Sequence, residues 1–415
     1  MLSENPKRAL KVRLTTTTFA FGTLPNFGTS QSLIFRGSED SDLTFLSIIS
    51  SRWSWTSDLF CRLMCLSDPM KLFPCTNCGL VLHFENTRCE HCGYVVGFDS
   101  DALQLVSFQA GERVFCANAE VGVCNWLVPQ GSDSKFCRAC QLNHYIPNLA
   151  DVQSHQGWRD IEFAKHRLMY SLMRLGLPLV SKAVDEDRGM AFDFIDSDQV
   201  VPEDAEATTG HSHGTITIAI DEADPSQREK NRVSMKERYR TLLGHLRHEI
   251  GHYYWMYLIK DHPTRHPRFR DVFGDESADY GEALKRHYKE GPAAQWGDSY
   301  ISAYASSHPW EDWAETWSHY LHLTDTMETA HALGVSLDPS VASDRHRISM
   351  VADVDPYEPL DFKIFLNQAV ALTFAVNSLN RSMGQPDLYP FILNDPVRQK
   401  LTFIHELMQE VRGGF

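Results

Sequence analysis

Residues 244–255 read Gly-His-Leu-Arg-His-Glu-Ile-Gly-His-Tyr-Tyr-Trp. Around them Tyr239, Leu242, Leu243, Leu246, Ile250, Tyr253, Tyr254, Tyr257 and Leu258 recur at i, i+3 and i+4, which predicts one long amphipathic helix over about 226–259. Asp224 or Ser226, with Pro225, supplies a start, and Asp261 to Pro263 a stop. On such a helix residues four apart lie almost above one another. His248 and His252 can therefore converge on one ion while Glu249 faces the open side. Gly251, inside the motif, costs roughly 1 kcal/mol of helix propensity, which points to close packing against it.

Two imidazoles need a third ligand, and residues 300–320 offer one. Pro309 marks a helix start, and Glu311, Glu315, His319 and His322 then share one face. Asp275, Glu276 and Asp279, nearer in sequence, are rival ligands.

Upstream the chain is organised by cysteine. Cys75-Thr76-Asn77-Cys78 and Cys89-Glu90-His91-Cys92 form two Cys-x-x-Cys knuckles, each followed by a glycine for the unusual backbone angles. Two such knuckles close a tetrahedral four-cysteine zinc site. Cys116, Cys124, Cys137 and Cys140 form a second, stretched set, since seven residues separate its first pair; His144 lies close enough to replace one of them but reads as a surface histidine. Eight of the ten cysteines thus have metal-ligand spacing, which predicts a reducing, cytoplasmic setting rather than disulfides.

Residues 1–69 lack a sustained period and predict an extension with little fixed structure, upstream of Met70 as the natural beginning; Cys61 and Cys65 take no role there. A domain boundary near 146 separates the cysteine region, 70–145, from the remainder, 146–415. In the latter, 158–175 reads as a helix, and 191–195 and 215–220 read as strands that could pair as a hairpin; His211 and His213 between them read as solvated loop residues. Residues 362–379 and 397–411 read as further helices. The fold class is α+β, mostly helical with a small antiparallel sheet. The formal charge of −15 argues against a general phosphate-binding surface, so nucleic acid is not expected as a partner. No run of 18 apolar residues occurs, so no membrane span is expected either.

His248-Glu249-x-x-His252 followed by Glu311-x-x-x-Glu315 resembles the gluzincin metallopeptidases. Tyr304, seven residues before Glu311, is similar to the arrangement in the Pro-Pro endopeptidase and lethal-factor-like branch. More broadly, a cysteine ribbon followed by HEIGHYYW, FGDESADY and SAYASSHPWEDWAETWSHYLH resembles a bacterial family of zinc-binding metallopeptidases with an N-terminal zinc ribbon, over about 70–335. The resemblance implies a zincin-like fold with His248, His252 and Glu311 as zinc ligands. It further implies Glu249 as general base, Tyr304 as electrophilic helper and Glu315 as partner of a ligand histidine. The expectation is a peptidase with one catalytic and one or two structural Zn2+ ions, acting on a peptide or protein. The alternative is a catalytically idle scaffold that recruits a protein partner through its ribbons.

Overall fold

The computed structural model describes residues 71–196, 210–235, 237–341, 345 and 348–414. The expectations for residues 1–69, Met70, Cys61 and Cys65 fall outside the described residues.

Each knuckle of the first cysteine set turns as its sequence demands. Gly79 and Gly93 adopt φ of 78° and 75°, and their N–H groups donate to the carbonyls of Cys75 and Cys89. Strands β1 (Phe73–Pro74) and β2 (Val81–Leu82) pair antiparallel at this ribbon, and β3 (Val95–Asp99) pairs with β4 (Gln104–Phe108) as a longer hairpin. The inner faces carry Phe73, Phe84, Phe98 and Trp126, all buried. The Phe98 and Trp126 rings lie 4.4 Å apart, and Phe84 lies 5.7 Å from Tyr170.

Tyr170 belongs to helix α1 (Val152–Arg174), which starts about a turn and a half earlier than the sequence pattern suggests. Asp151 caps it by accepting from the Ser154 N–H. Its faces are buried on both sides, so it reads as less amphipathic than it functions: one side meets the ribbons, the other the helical half. The ribbon region and the rest thus share one apolar core.

The sheet departs from expectation. Its order is β5 (Asn143–Tyr145), β6 (Ala191–Ile195), β8 (Thr215–Ala219), β7 (Gly210–Ser212). β5 and β8 both run parallel to β6, and only β7 and β8 pair antiparallel. The four-stranded sheet is therefore mixed; the antiparallel pairs elsewhere are two-stranded. β6 and β8 are neighbours, but not a hairpin, because the chain returns through β7 before entering β8.

The long helix expected over 226–259 is two helices. α2 (Pro225–Ser234) is capped by Asp224 with proline in its first turn, and α3 (Leu242–Leu258) by Thr241, whose hydroxyl accepts from the Gly244 N–H. α4 (Arg265–Phe273) and α5 (Tyr280–Glu290) follow. α6 (Pro309–Ala332) begins at its proline, with His308 as cap. A Cβ on Gly251 would stand 3.2 Å from the Ala314 Cα and from Trp317 Cδ1, and Trp313 Nε1 donates to the Gly251 carbonyl at 2.8 Å. The glycine thus lets α3 and α6 approach closely. Beyond β9 (Ser336–Leu337) and β10 (Met350–Val351), α7 (Phe362–Ser382) and α8 (Asp395–Gly414) complete the shell. α7 is long and apolar enough by composition to cross a membrane although it holds no unbroken run of 18 apolar residues; here Phe362, Phe365, Leu366, Ala369 and Leu372 are packed inward.

Candidate metal centres

The close crossing of α3 and α6 brings His248, His252 and Glu311 together, all three buried. The two Nε2 atoms lie 3.2 Å apart, and Glu311 Oε2 lies 2.9 Å from that of His248 and 3.5 Å from that of His252. Ligands at about 2.0–2.1 Å around a tetrahedral zinc are separated by roughly 3.3 Å, so this spacing fits such an ion. Glu311 Oε2 is buried without a hydrogen-bond partner among the described residues, as an oxygen reserved for a cation would be.

The surrounding groups fix these three. Glu315 Oε1 accepts from His248 Nδ1 at 2.7 Å, and Ser302 donates to Glu315 Oε2 at 2.6 Å. A proton on Nδ1 leaves the Nε2 lone pair of a neutral ring pointing into the cluster. Tyr280 donates to Glu311 Oε1 at 2.6 Å, and the Trp310 ring lies 4.3 Å from that of His252. Glu249 is buried beside His245, whose Nε2 lies 3.4 Å from Oε1. Burial pushes the Glu249 carboxyl up, but the His245 hydrogen bond and the neighbouring imidazoles prevail and hold it at about 2. Tyr304, in a short turn (Tyr304–Ser306), places its ring 5.9 Å from that of His248.

The rival ligands are engaged elsewhere. Asp275 accepts from Ser277, Glu276 pairs with His266 and Arg270, and Asp279 caps α5. His319 and His322 share the helix face but turn to Tyr389 and Arg247. His211 and His213 are not both solvated: His211 is half-buried in β7 with its ring 6.3 Å from that of His252, and burial holds it down to about 3. Together with Trp255, Lys260, Tyr280 and Trp310 it lines a cavity of about 350 Å³. β8 is bonded on both sides, so the sheet edge on this flank is β7.

Both cysteine sets gather. In the first, Cys75 and Cys92 Sγ lie 3.7 Å apart and Cys78 and Cys89 Sγ 3.6 Å, near the roughly 3.8 Å edge of a zinc–tetrathiolate tetrahedron. Cys116, Cys124, Cys137 and Cys140 form the second and are all buried. His144 is absent from it, pairing instead with Asp193 at the surface. The imidazole that does reach these thiols is His166 of α1. Sequence reasoning missed His166, Tyr280, Ser302 and His245. Of these only His245 carried a signal, one turn before Glu249 on the same helix face.

A family model described as "Putative zinc-binding metallo-peptidase" matches residues 154–407, and a zinc-ribbon domain matches residues 72–151. Uncharacterized proteins of Mycobacterium bovis and of two strains of Mycobacterium tuberculosis are each 40% identical over 347 residues, covering 83% of this chain and 97% of theirs. No solved structure matches. With the family match spanning most of the helical half and a ribbon ahead of it, the chain belongs to this zinc-binding metallo-peptidase family.

Proposed function

We propose that the chain is a gluzincin-type peptidase, with His248, His252 and Glu311 holding a catalytic zinc and Glu249 acting as general base. The observation that carries this reading is the buried triangle of two Nε2 atoms and the unpartnered Glu311 Oε2, with Glu249 next to His248 on the same helix. A zinc ion there supplies Lewis acidity toward a peptide carbonyl and a water molecule. Glu249, ionised at neutral pH, takes a proton from the attacking water. The water oxygen bonds to the carbonyl carbon, the C–N bond breaks, and Glu249 returns the proton to the departing amine. Glu315 keeps the His248 tautomer, and the Tyr304 hydroxyl assists the developing oxyanion. An extended segment of a peptide or protein substrate lies along β7, gripped through its backbone. The two cysteine sets hold structural zinc ions, and the clustered free thiols support a reducing, cytoplasmic setting.

Glu249→Gln tests the reading. It keeps the shape of the side chain but cannot accept the proton, so cleavage of a peptide library should fall at least ~100-fold with zinc content unchanged. A variant that cleaves as fast as the parent overturns the mechanism. A parent that binds zinc yet cleaves nothing returns the scaffold alternative.

A further inference from the structure

The second cysteine set differs from the first in having a fifth donor. His166 Nε2 lies 3.3 Å from the Cys124 Sγ, 3.7 Å from that of Cys140 and 4.0 Å from that of Cys137. Zinc bound by one imidazole nitrogen and three thiolates has nitrogen–sulfur edges of about 3.6 Å, so the ring stands at ligand spacing from all three. The Cys124 and Cys137 Sγ atoms lie 3.8 Å apart, as the sulfur–sulfur edge of the same tetrahedron requires.

The tautomer agrees. His166 Nδ1 lies 2.6 Å from the Glu162 backbone carbonyl, which can only accept, so the proton sits on Nδ1. In the neutral ring Nε2 then aims a lone pair at three sulfurs. A metal cation placed between them would take that lone pair together with the thiolates. The ring is also fixed where it is: His166 is 1% exposed, in the interior of α1, with Trp126 5.0 Å away. The stretched first pair fits as well. Cys116, whose Sγ lies within 4.8 Å of the other three, is the alternative fourth donor; it precedes a short turn (Ala117–Ala119) outside any Cys-x-x-Cys knuckle, and no comparable contact joins it to the imidazole among the described residues.

We propose that His166 Nε2 is a ligand of the ion held by Cys124, Cys137 and Cys140, with Cys116 as the displaced donor. One metal ion then bonds the ribbon directly to the first helix of the peptidase half. This assignment is independent of whether the His248 centre is active.

Cadmium-113 NMR of the full chain, exchanged into cadmium and labelled with 15N-histidine, separates the sites. A four-sulfur site resonates at lowest field, and each sulfur replaced by nitrogen moves the signal upfield. The first ribbon should give a four-sulfur signal and the second a distinct three-sulfur signal, split by one-bond coupling to a histidine nitrogen. In His166→Ala that second signal should move downfield as Cys116 takes the vacated position, or vanish with the loss of one cadmium per chain. Two four-sulfur signals in the parent, neither coupled to nitrogen, overturn the proposal. So does a second signal that His166→Ala leaves in place. If the variant fails to fold, the parent spectrum alone decides.

Discussion

At His248 the two ring nitrogens have different tasks, and Glu315 separates them. Its carboxylate accepts from Nδ1 at 2.7 Å and is itself held by the Ser302 hydroxyl. Glu315→Gln removes the charge that favours a proton on Nδ1, so zinc affinity at this centre should drop about 10- to 100-fold, read by competition with a chromophoric chelator. Unchanged affinity would mean that Glu315 does no more than pack. Much of this centre could be read from sequence, because His248, Glu249 and His252 sit on one helix whose period fixes their geometry. Glu311 came from spacing and resemblance, since nothing local distinguishes it from Glu276. His166 was illegible for the opposite reason. Its approach to Cys124 depends on how α1 crosses the ribbon, and no pattern within α1 encodes that crossing.

Between elements, the contact of α3 with α6 decides whether the centre can assemble. Gly251 is the point of nearest approach, and its would-be Cβ meets the backbone Cα of Ala314 as well as Trp317. Alanine there should gain up to about 1 kcal/mol of helix propensity. It should lose more, on the order of 1–3 kcal/mol, because backbone cannot yield as a side-chain tip can. Gly251→Ala is therefore expected to unfold at lower urea, and a raised midpoint would refute the packing argument. The glycine's cost within its helix was legible, but not the neighbour that requires it. The break between α2 and α3 was also signalled locally, by Thr241 three residues ahead of Gly244, yet the apolar period running through Tyr239 concealed it. The parallel pairing of β6 with β8 left no local signal, since register across a crossover is set by the packing of distant segments.

For the molecule as a whole, buried carboxylates shape the response to pH, and Glu328 is one whose contribution can be isolated. Glu328 of α6 is 1% exposed and accepts from the Tyr170 hydroxyl at 2.6 Å, where burial, with Asp325 nearby, pushes its carboxyl up from 4.5 to about 7. Between those values the folded chain holds a proton that the unfolded chain has lost. Stability from this group therefore declines as pH rises from about 4.5 to 7, by on the order of 1–3 kcal/mol. Glu328→Gln should flatten that decline, seen as a smaller difference between urea midpoints at pH 5 and pH 7.5. An identical difference in parent and variant would exclude the assignment.

Tyr170 also belongs to the aromatic group of Phe73, Phe84 and Phe98, which the ribbon contributes. That shared group bears on ancestry. Small zinc modules are commonly pictured as interchangeable beads, gained or traded between chains without disturbing the domain downstream. Here the bead has fused with its neighbour: exchanging it for a foreign ribbon would strip α1 of the rings it rests on. The packing therefore couples ribbon and peptidase half, and a substitution of a ring in either must be accommodated by the other.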